Sequence, residues 1–254
     1  IIVTLSKYVS DCMDKEGKFR GLGYIIKTTM YCAVPTVLVM MQPDFGTAFV
    51  FICIMVFIYF IGRISWGYIL TAAGGLAVCM PLAYYFVLSD SQRERIDVFI
   101  NPESDLQNSG YNVAQSKIAI GSGQLTGKGF FSEGTLAQLR FVPERHTDFI
   151  FAGIVEGLGF VGGTIIICLF FALIFRWIYI AMRTKDSFGT CLVVGVAGMF
   201  TAHVFENIGM TIGLMPVTGI PLPFISYGGS NLLTNLIGVG IVENVWMRRQ
   251  SKKR

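Results

Sequence analysis

Residues 149–175 read FIFAGIVEGLGFVGGTIIICLFFALIF, and Glu156 is the only charged residue in this run. Such a run matches the hydrocarbon core of a bilayer, which is about 30 Å thick and needs about 20 helical residues to cross. The run therefore predicts a transmembrane helix, and other apolar runs predict more. The predicted spans are at about residues 22–41, 45–61, 65–88, 149–175, 188–214 and 227–247, with the tail of an earlier helix at about 1–9.

The composition of the whole chain agrees with a membrane protein. Of its 254 residues, 53% are hydrophobic and 14% are charged, whereas a soluble domain carries roughly 25% charged residues. This shortage of charge excludes a soluble enzyme, a disordered chain and a nucleic-acid binder. We therefore predict an all-α polytopic membrane protein, a helical bundle forming a single transmembrane domain over residues 1–254. Its 6 cysteines, mostly in apolar runs, indicate neither a disulfide framework nor a metal site.

Short basic segments predict the orientation, because Lys and Arg are retained on the cytoplasmic side. The tail after Val245 reads WMRRQSKKR, so the C-terminus is expected inside, with some attraction to anionic lipid. Counting back through alternating spans places three polar segments outside, namely 42–47, 89–148 and 213–230. The loop at about 89–148 is long for a connector, and its own apolar periodicity predicts short amphipathic helices at the interface.

The end of this loop carries the strongest candidate for chemistry, the sequence PERHTDFIF at 143–151. Pro143 suits the first turn of a helix, which would place Glu144, Arg145 and Asp148 on one face. Arg145 and the helix N-terminus both favour an ionised Asp148. Such a carboxylate can take a proton from a hydroxyl nucleophile while nearby cations hold an anionic leaving group. On spacing alone, capping and solvation of a helix start is the more common role for Glu144 and Asp148.

Further polar residues in the loop suit a phosphate-bearing ligand. Lys117, Lys128 and Arg140 supply positive charge, and the glycines between 121 and 129 permit close backbone approach. His146 is interpreted as a hydrogen-bonding orienter, since no second His or Cys lies nearby to hold a metal.

The prolines and glycines of 213–230 predict a broken helix or re-entrant backbone, which membranes tolerate where it is buried or lines a cavity. Ser226 and Tyr227 are candidates for polar contacts there, and a purely structural corner is an equal alternative. Asp44, in the turn at 42–47, is expected at the same end as Asp148. Such clustering favours a site at the outer surface over a transport path through the bundle.

Several segments resemble the SEDS family (shape, elongation, division and sporulation), and the PERHTD and GKG sequences resemble its RodA branch more than FtsW. The resemblance covers essentially the whole chain and implies that it is a fragment, beginning near the end of the family's fourth span. A cleavable signal peptide is not expected. Three positions depart from the family pattern, namely Gly157, Glu206 and Asn231. The matching segments are MQPDFGTA, YNVAQSKIAIGSGQLTGKGF, PERHTDFIF and NIGMTIGLMPVTGIPLPFISYGGS.

The resemblance implies a peptidoglycan glycosyltransferase that polymerises lipid II at the outer face of the bacterial cytoplasmic membrane during cell elongation. The implied partners are lipid II, undecaprenyl pyrophosphate-linked glycan, a class B penicillin-binding transpeptidase and other membrane proteins of the elongation complex. The alternatives are a lipid-linked precursor flippase and a scaffold that only recruits synthases.

The family's essential aspartate falls on Asp148, which would deprotonate the GlcNAc 4-hydroxyl of one lipid II. Arg145, Lys117 and Arg140 are candidates for binding the pyrophosphate that leaves. The residues do not decide whether Mg²⁺ or Mn²⁺ shares that role, and no other cofactor is implied. The remaining substrate-binding candidates are Glu144, His146, Asp44, Ser226 and Tyr227.

Overall fold

The computed structural model describes residues 1–16, 22–42, 44–62, 64, 109–130 and 146–251, together with 67, 68, 74, 84, 85, 93 and 96–99. Within these residues the regular elements are helices, as predicted. The predicted span at 65–88 lies almost wholly outside the described residues. The helices are α1 (Ile2–Glu16), α2 (Leu22–Met40), α3 (Phe45–Ile61), α4 (Ser109–Ser122), α5 (Ile150–Arg183), α6 (Ser187–Ile212) and α7 (Gly229–Ser251).

Three of the described helices, α2, α5 and α6, are long and apolar enough to cross a membrane, and α3 is apolar but shorter. Helix α5 has 34 residues, which at 1.5 Å per residue would extend about 51 Å if it were continuous. It is interrupted at Gly159, where the backbone is not helical (φ 70°, ψ −173°). The part after this break, 160–183, is about 36 Å long and suffices to cross a bilayer.

Helices α1 and α5 extend furthest beyond their predicted ends. Helix α1 continues past residue 9 to Glu16, because Lys7 and Asp11 form an ion pair of 2.8 Å one turn apart and Cys12 is buried. Helix α5 continues past residue 175 to Arg183, since Trp177 is buried and packs edge-on against Phe200 at 4.7 Å between ring centroids. Apolar runs therefore predict the most apolar part of a helix better than its ends.

The chain groups into two compact units. The first unit comprises Ile1–Arg93, Phe175–Phe200 and Ile237–Arg254. Small residues bring its helices close: Gly195 faces Ile2 and Ile58, and Gly198 faces Phe57. The core of this unit is built from aliphatic side chains such as Leu5, Val9, Ile58, Val193 and Val196.

The second unit comprises Glu94–Ile174 and Thr201–Leu236. Its main buried cluster is formed by Phe151, Val155, Phe170 and Leu222. A second cluster joins Val113 of α4 to Phe149, with Val217 packed against both. These contacts bring α4, the start of α5 and the irregular backbone at 213–228 into one body, which contains Asp148.

Candidate active site

Asp148 lies in a turn at 146–149, directly before α5, and its side chain is half-buried. Three consecutive carbonyl groups of this turn accept hydrogen bonds from elsewhere in the second unit. The backbone N–H of Tyr227 donates to His146 O at 2.9 Å, and Ser226 Oγ donates to Thr147 O at 2.6 Å. Asn207 Nδ2 donates to Asp148 O at 2.8 Å. The backbone that carries the carboxylate is therefore held at three successive residues.

Two of these donors also order the backbone at 213–228, which we call the proline-glycine segment. Asn207 Nδ2 makes a second bond, to Ile220 O at 2.7 Å, and Ser226 Oγ accepts from Leu222 N at 2.7 Å. Both side chains are buried. The segment has no regular helix, as its prolines and glycines predicted. Buried irregular backbone needs such internal partners, because water is excluded from it.

The Asp148 carboxylate lies over the backbone of Gly219. A Cβ built on Gly219 would be 3.4 Å from Asp148 Oδ2, and Gly219 has a positive φ of 79°. Glycine is favoured here because a larger residue would be strained at this φ and would contact the carboxylate. The start of α5 follows directly, and its free N–H groups favour negative charge at Asp148.

The segment 123–129, which we call the glycine loop, packs against the break in α5. The N–H groups of Phe160 and Val161 donate to Gln124 O and Leu125 O at 2.8 and 3.2 Å. In return, two N–H groups of the loop donate to carbonyls before the break, Lys128 to Glu156 and Gly129 to Gly157, at 3.0 and 2.9 Å. These four bonds pair groups that a continuous helix would have paired internally. The glycines of this loop thus allow its backbone to approach α5 closely.

Two lysines predicted to face a phosphate ligand have protein contacts. Lys128 Nζ lies 3.9 Å from Oε1 of the buried Glu156, and Ser122 Oγ donates to the same oxygen at 3.4 Å. The side chain of Lys117 lies against Gly213, directly after α6. Gly213 N–H bonds to Met210 O and Leu214 N–H to Gly209 O, the pattern of a Schellman cap. The positive charge of Lys117 is favourable beside this helix C-terminus.

The remaining site candidates divide into those that the structure describes and those that it does not. The side chains of His146 and Tyr227 are exposed, and the structure joins the two residues through their backbones. Asp44 belongs to the first unit, where it caps α3: it accepts from Thr47 N at 3.0 Å and from Thr47 Oγ1 at 2.8 Å. Arg140, Glu144 and Arg145 lie outside the described residues, and so does Pro143 with the helix start predicted there.

Asn207 was not among the predicted site residues. An amide within a helix that is long and apolar enough to cross a membrane is costly unless it is paired, and this signal could have singled it out. The residues that it contacts are distant in sequence, so its partners could not be predicted from local pattern. Among the described residues, no group of three or more His, Cys, Asp or Glu is arranged to hold a metal ion.

Comparison with known proteins gives consistent matches over nearly the whole chain. The family model FtsW/RodA/SpoVE, described as cell cycle proteins, matches residues 1–251. Peptidoglycan glycosyltransferase MrdB of Escherichia coli K12 is 44% identical over 217 residues, which cover 85% of this chain and 58% of MrdB. The chain thus spans less than two thirds of the length of this relative.

Two solved structures share the fold. One belongs to a study of how a peptidoglycan synthase complex coordinates polymerization and crosslinking; it matches with a TM-score of 0.76 and 28% identity, covering 98% of this chain and 67% of that one. The other, the crystal structure of the Rod shape determining protein RodA of Thermus thermophilus, matches with a TM-score of 0.64 and 26% identity. That match covers 97% of this chain and 64% of RodA.

Proposed function

Because this chain belongs to the FtsW/RodA/SpoVE family of multi-pass membrane proteins, we propose that the complete protein is a peptidoglycan glycosyltransferase that polymerises lipid II. It acts at the outer face of the bacterial cytoplasmic membrane during cell elongation, with its C-terminus inside. The names of MrdB and RodA support the activity and the role in cell shape. The observation that carries the proposal is the half-buried carboxylate of Asp148, on a backbone held at three successive carbonyls.

In the proposed mechanism Asp148 is the general base. Its carboxylate takes the proton of the GlcNAc 4-hydroxyl of one lipid II, and the resulting oxygen attacks the anomeric carbon of the lipid-linked glycan. The bond from this carbon to the pyrophosphate oxygen breaks, and undecaprenyl pyrophosphate leaves. A base on a fixed backbone needs little reorganisation when the hydroxyl is bound, which lowers the barrier.

The leaving pyrophosphate carries negative charge that cations must stabilise. Lys117, Arg140 and Arg145 are the proposed cationic contacts. Lys117 is an exposed residue beside the end of α6, so a phosphate can approach it from solvent. Glu144, His146 and Tyr227 remain proposed substrate contacts. Ser226 is proposed to act through the backbone instead, since its hydroxyl is already engaged by Leu222 N and Thr147 O.

The test is polymerisation of labelled lipid II by the purified complete protein together with its transpeptidase partner. We expect Asp148→Ala and Asp148→Asn to lower the rate by at least about a hundredfold, the contribution typical of a general base. Asp186→Ala is a matched control, because Asp186 also precedes a helix and bonds Gly189 N at 3.0 Å; this variant should stay active. Unchanged polymerisation by both Asp148 variants would remove Asp148 from the mechanism.

A parallel assay separates the enzyme from the flippase and scaffold alternatives. Lipid II translocation across vesicles that contain the protein should be no faster than across empty vesicles. Translocation that survives Asp148→Ala, without polymerisation by the wild type, would instead indicate a flippase.

We also propose a class B penicillin-binding transpeptidase as partner, supported by the match to a synthase complex that couples polymerization to crosslinking. Asp148→Ala should still co-purify with this partner, because the substitution changes no bond of the turn's backbone. If cell elongation continued normally with Asp148→Ala but stopped without the protein, the protein would be a scaffold.

A further inference from the structure

We propose that Asn207 is a positioning residue for Asp148, and this proposal rests on the function proposed above. Asn207 lies in α6 and is fully buried. Its Nδ2 group has two hydrogens, and the two bonds, to Asp148 O at 2.8 Å and to Ile220 O at 2.7 Å, use both. One amide group thus joins the backbone of the candidate base to the proline-glycine segment.

The contact between the Asp148 carboxylate and Gly219 lies next to both carbonyls that Asn207 bonds: one belongs to Asp148 itself and the other to Ile220. Ile220 follows Gly219, whose backbone faces Asp148 Oδ2. On the other side, Phe149 is buried directly after Asp148. Fixing both carbonyls to one planar amide therefore sets the separation between the carboxylate and Gly219, and with it the direction in which the carboxylate points.

The chemistry of the contact requires an amide of this length. A carboxylate of the same shape has no N–H to donate, an aliphatic side chain leaves both carbonyls unpaired, and glutamine is longer by one methylene. The Oδ1 atom of Asn207 is buried without a hydrogen-bond partner among the described residues. Burying an unpaired acceptor is unfavourable, so we attribute the presence of the amide here to its two donated bonds.

The test is the kinetics of lipid II polymerisation by the complete protein with its partner. Misplacing a reacting group by about 1 Å can cost about a hundredfold in rate, so we expect Asn207→Ala and Asn207→Gln to lower kcat about tenfold to a hundredfold. The KM for lipid II should stay within about twofold, because Asn207 is not proposed to touch substrate. Rates are normalised to the fraction of protein that binds lipid II, so that misfolded protein does not count.

A double-mutant cycle separates positioning from a general structural role. If Asn207 acts through Asp148, Asn207→Ala should lower kcat by a much smaller factor in an Asp148→Glu protein than in the wild type, because the carboxylate of Asp148→Glu is already displaced. An equal loss of kcat in the two backgrounds would contradict the proposal. Thr211→Val is the control: Thr211 lies one turn further along α6 and is equally buried, and its hydroxyl donates to Ile208 O of its own helix, at 2.7 Å.

Hydrogen exchange supplies a readout that does not depend on activity. Amides of residues 146–152 should exchange faster in Asn207→Ala and Asn207→Gln than in the wild type, but not in Thr211→Val. If both Asn207 variants exchange and polymerise like the wild type, the proposal is wrong. If instead the wild type fails to polymerise lipid II, the proposed function fails, while exchange still decides whether Asn207 fixes the turn.

Discussion

At the scale of single residues, the position of Asp148 depends on its backbone more than on its neighbours in sequence. The carbonyls of residues 146–148 accept hydrogen bonds from Tyr227, Ser226 and Asn207, which lie far away in the sequence. Ser226 has the same kind of role as Asn207, since it joins Thr147 to Leu222. The sequence left a contact with substrate and a structural corner open for Ser226, and its observed hydrogen bonds are those of a structural corner.

This arrangement predicts the effect of Ser226→Ala. The change removes the hydroxyl that accepts from Leu222 N and donates to Thr147 O, and loss of a partner for a buried polar group costs about 1–3 kcal/mol. We expect a lower melting temperature and a lower rate of lipid II polymerisation. Ser230→Ala, at an exposed position at the start of α7, should change neither. If Ser226→Ala had the same melting temperature as the wild type, these two bonds would add little to stability.

At the scale of elements, the broken helix α5 and the glycine loop complete each other's backbone hydrogen bonds. Residue 159 combines φ 70° with ψ −173°, a region that is essentially restricted to glycine. A Cβ at Gly159 would also overlap Gly127 N and Leu125 O, which are backbone atoms and cannot rotate away. The Gly157 position differs, because the three atoms nearest to a Cβ there all belong to the ring of Phe130, an exposed side chain that can move.

We therefore expect Gly159→Ala to destabilise the protein by about 3 kcal/mol or more, through backbone strain and loss of bonds to the glycine loop. The measurement is thermal unfolding in detergent. Gly153→Ala is the matched control in the same helix, since a Cβ at Gly153 meets no atom within 4 Å. Alanine is favoured over glycine in a helix by about 0.5–1 kcal/mol, so this control should be as stable as the wild type. If the two variants had equal melting temperatures, the break at position 159 would not need glycine.

Gly157→Glu is predicted to fold, in contrast to Gly159→Ala. Because the atoms nearest to a Cβ at this position belong to the flexible Phe130 side chain, we expect a melting temperature within a few degrees of the wild type. A loss of folded protein comparable to that of Gly159→Ala would contradict this interpretation of the contact.

At the scale of the whole molecule, the basic segments predict which ends of the helices face the cytoplasm. Arg176 illustrates the aromatic surroundings of these charges: its guanidinium lies 5.1 Å from the ring centroid of Trp246 and 5.6 Å from that of Tyr179. Tryptophan and tyrosine are enriched at membrane interfaces, where long basic side chains also reach the headgroups. Arg176 and Trp246 therefore fit one interface, on the side that the C-terminal charges predict to be cytoplasmic.

The orientation can be tested with single cysteines in a cysteine-free background of the complete protein. A cysteine at Tyr227, which is 80% exposed, should react from outside the cell with a membrane-impermeant maleimide. A cysteine at Met247, also exposed, should react only after the membrane is permeabilised. Labelling of Met247→Cys in intact cells would reverse the predicted topology.

The amino-acid sequence by itself determined the helical membrane class, and it predicted a functional role for the PERHTD segment. Apolar runs and the placement of charge depend on local composition, which is fully visible in a sequence. The sequence did not predict the interruption of α5 at Gly159, the glycine loop that completes its hydrogen bonds, or the bond from Asn207 to Asp148, 59 residues away. Only the tertiary structure decided these features, because such bonds form between segments that the chain path brings together, and each donor could have met many other carbonyls.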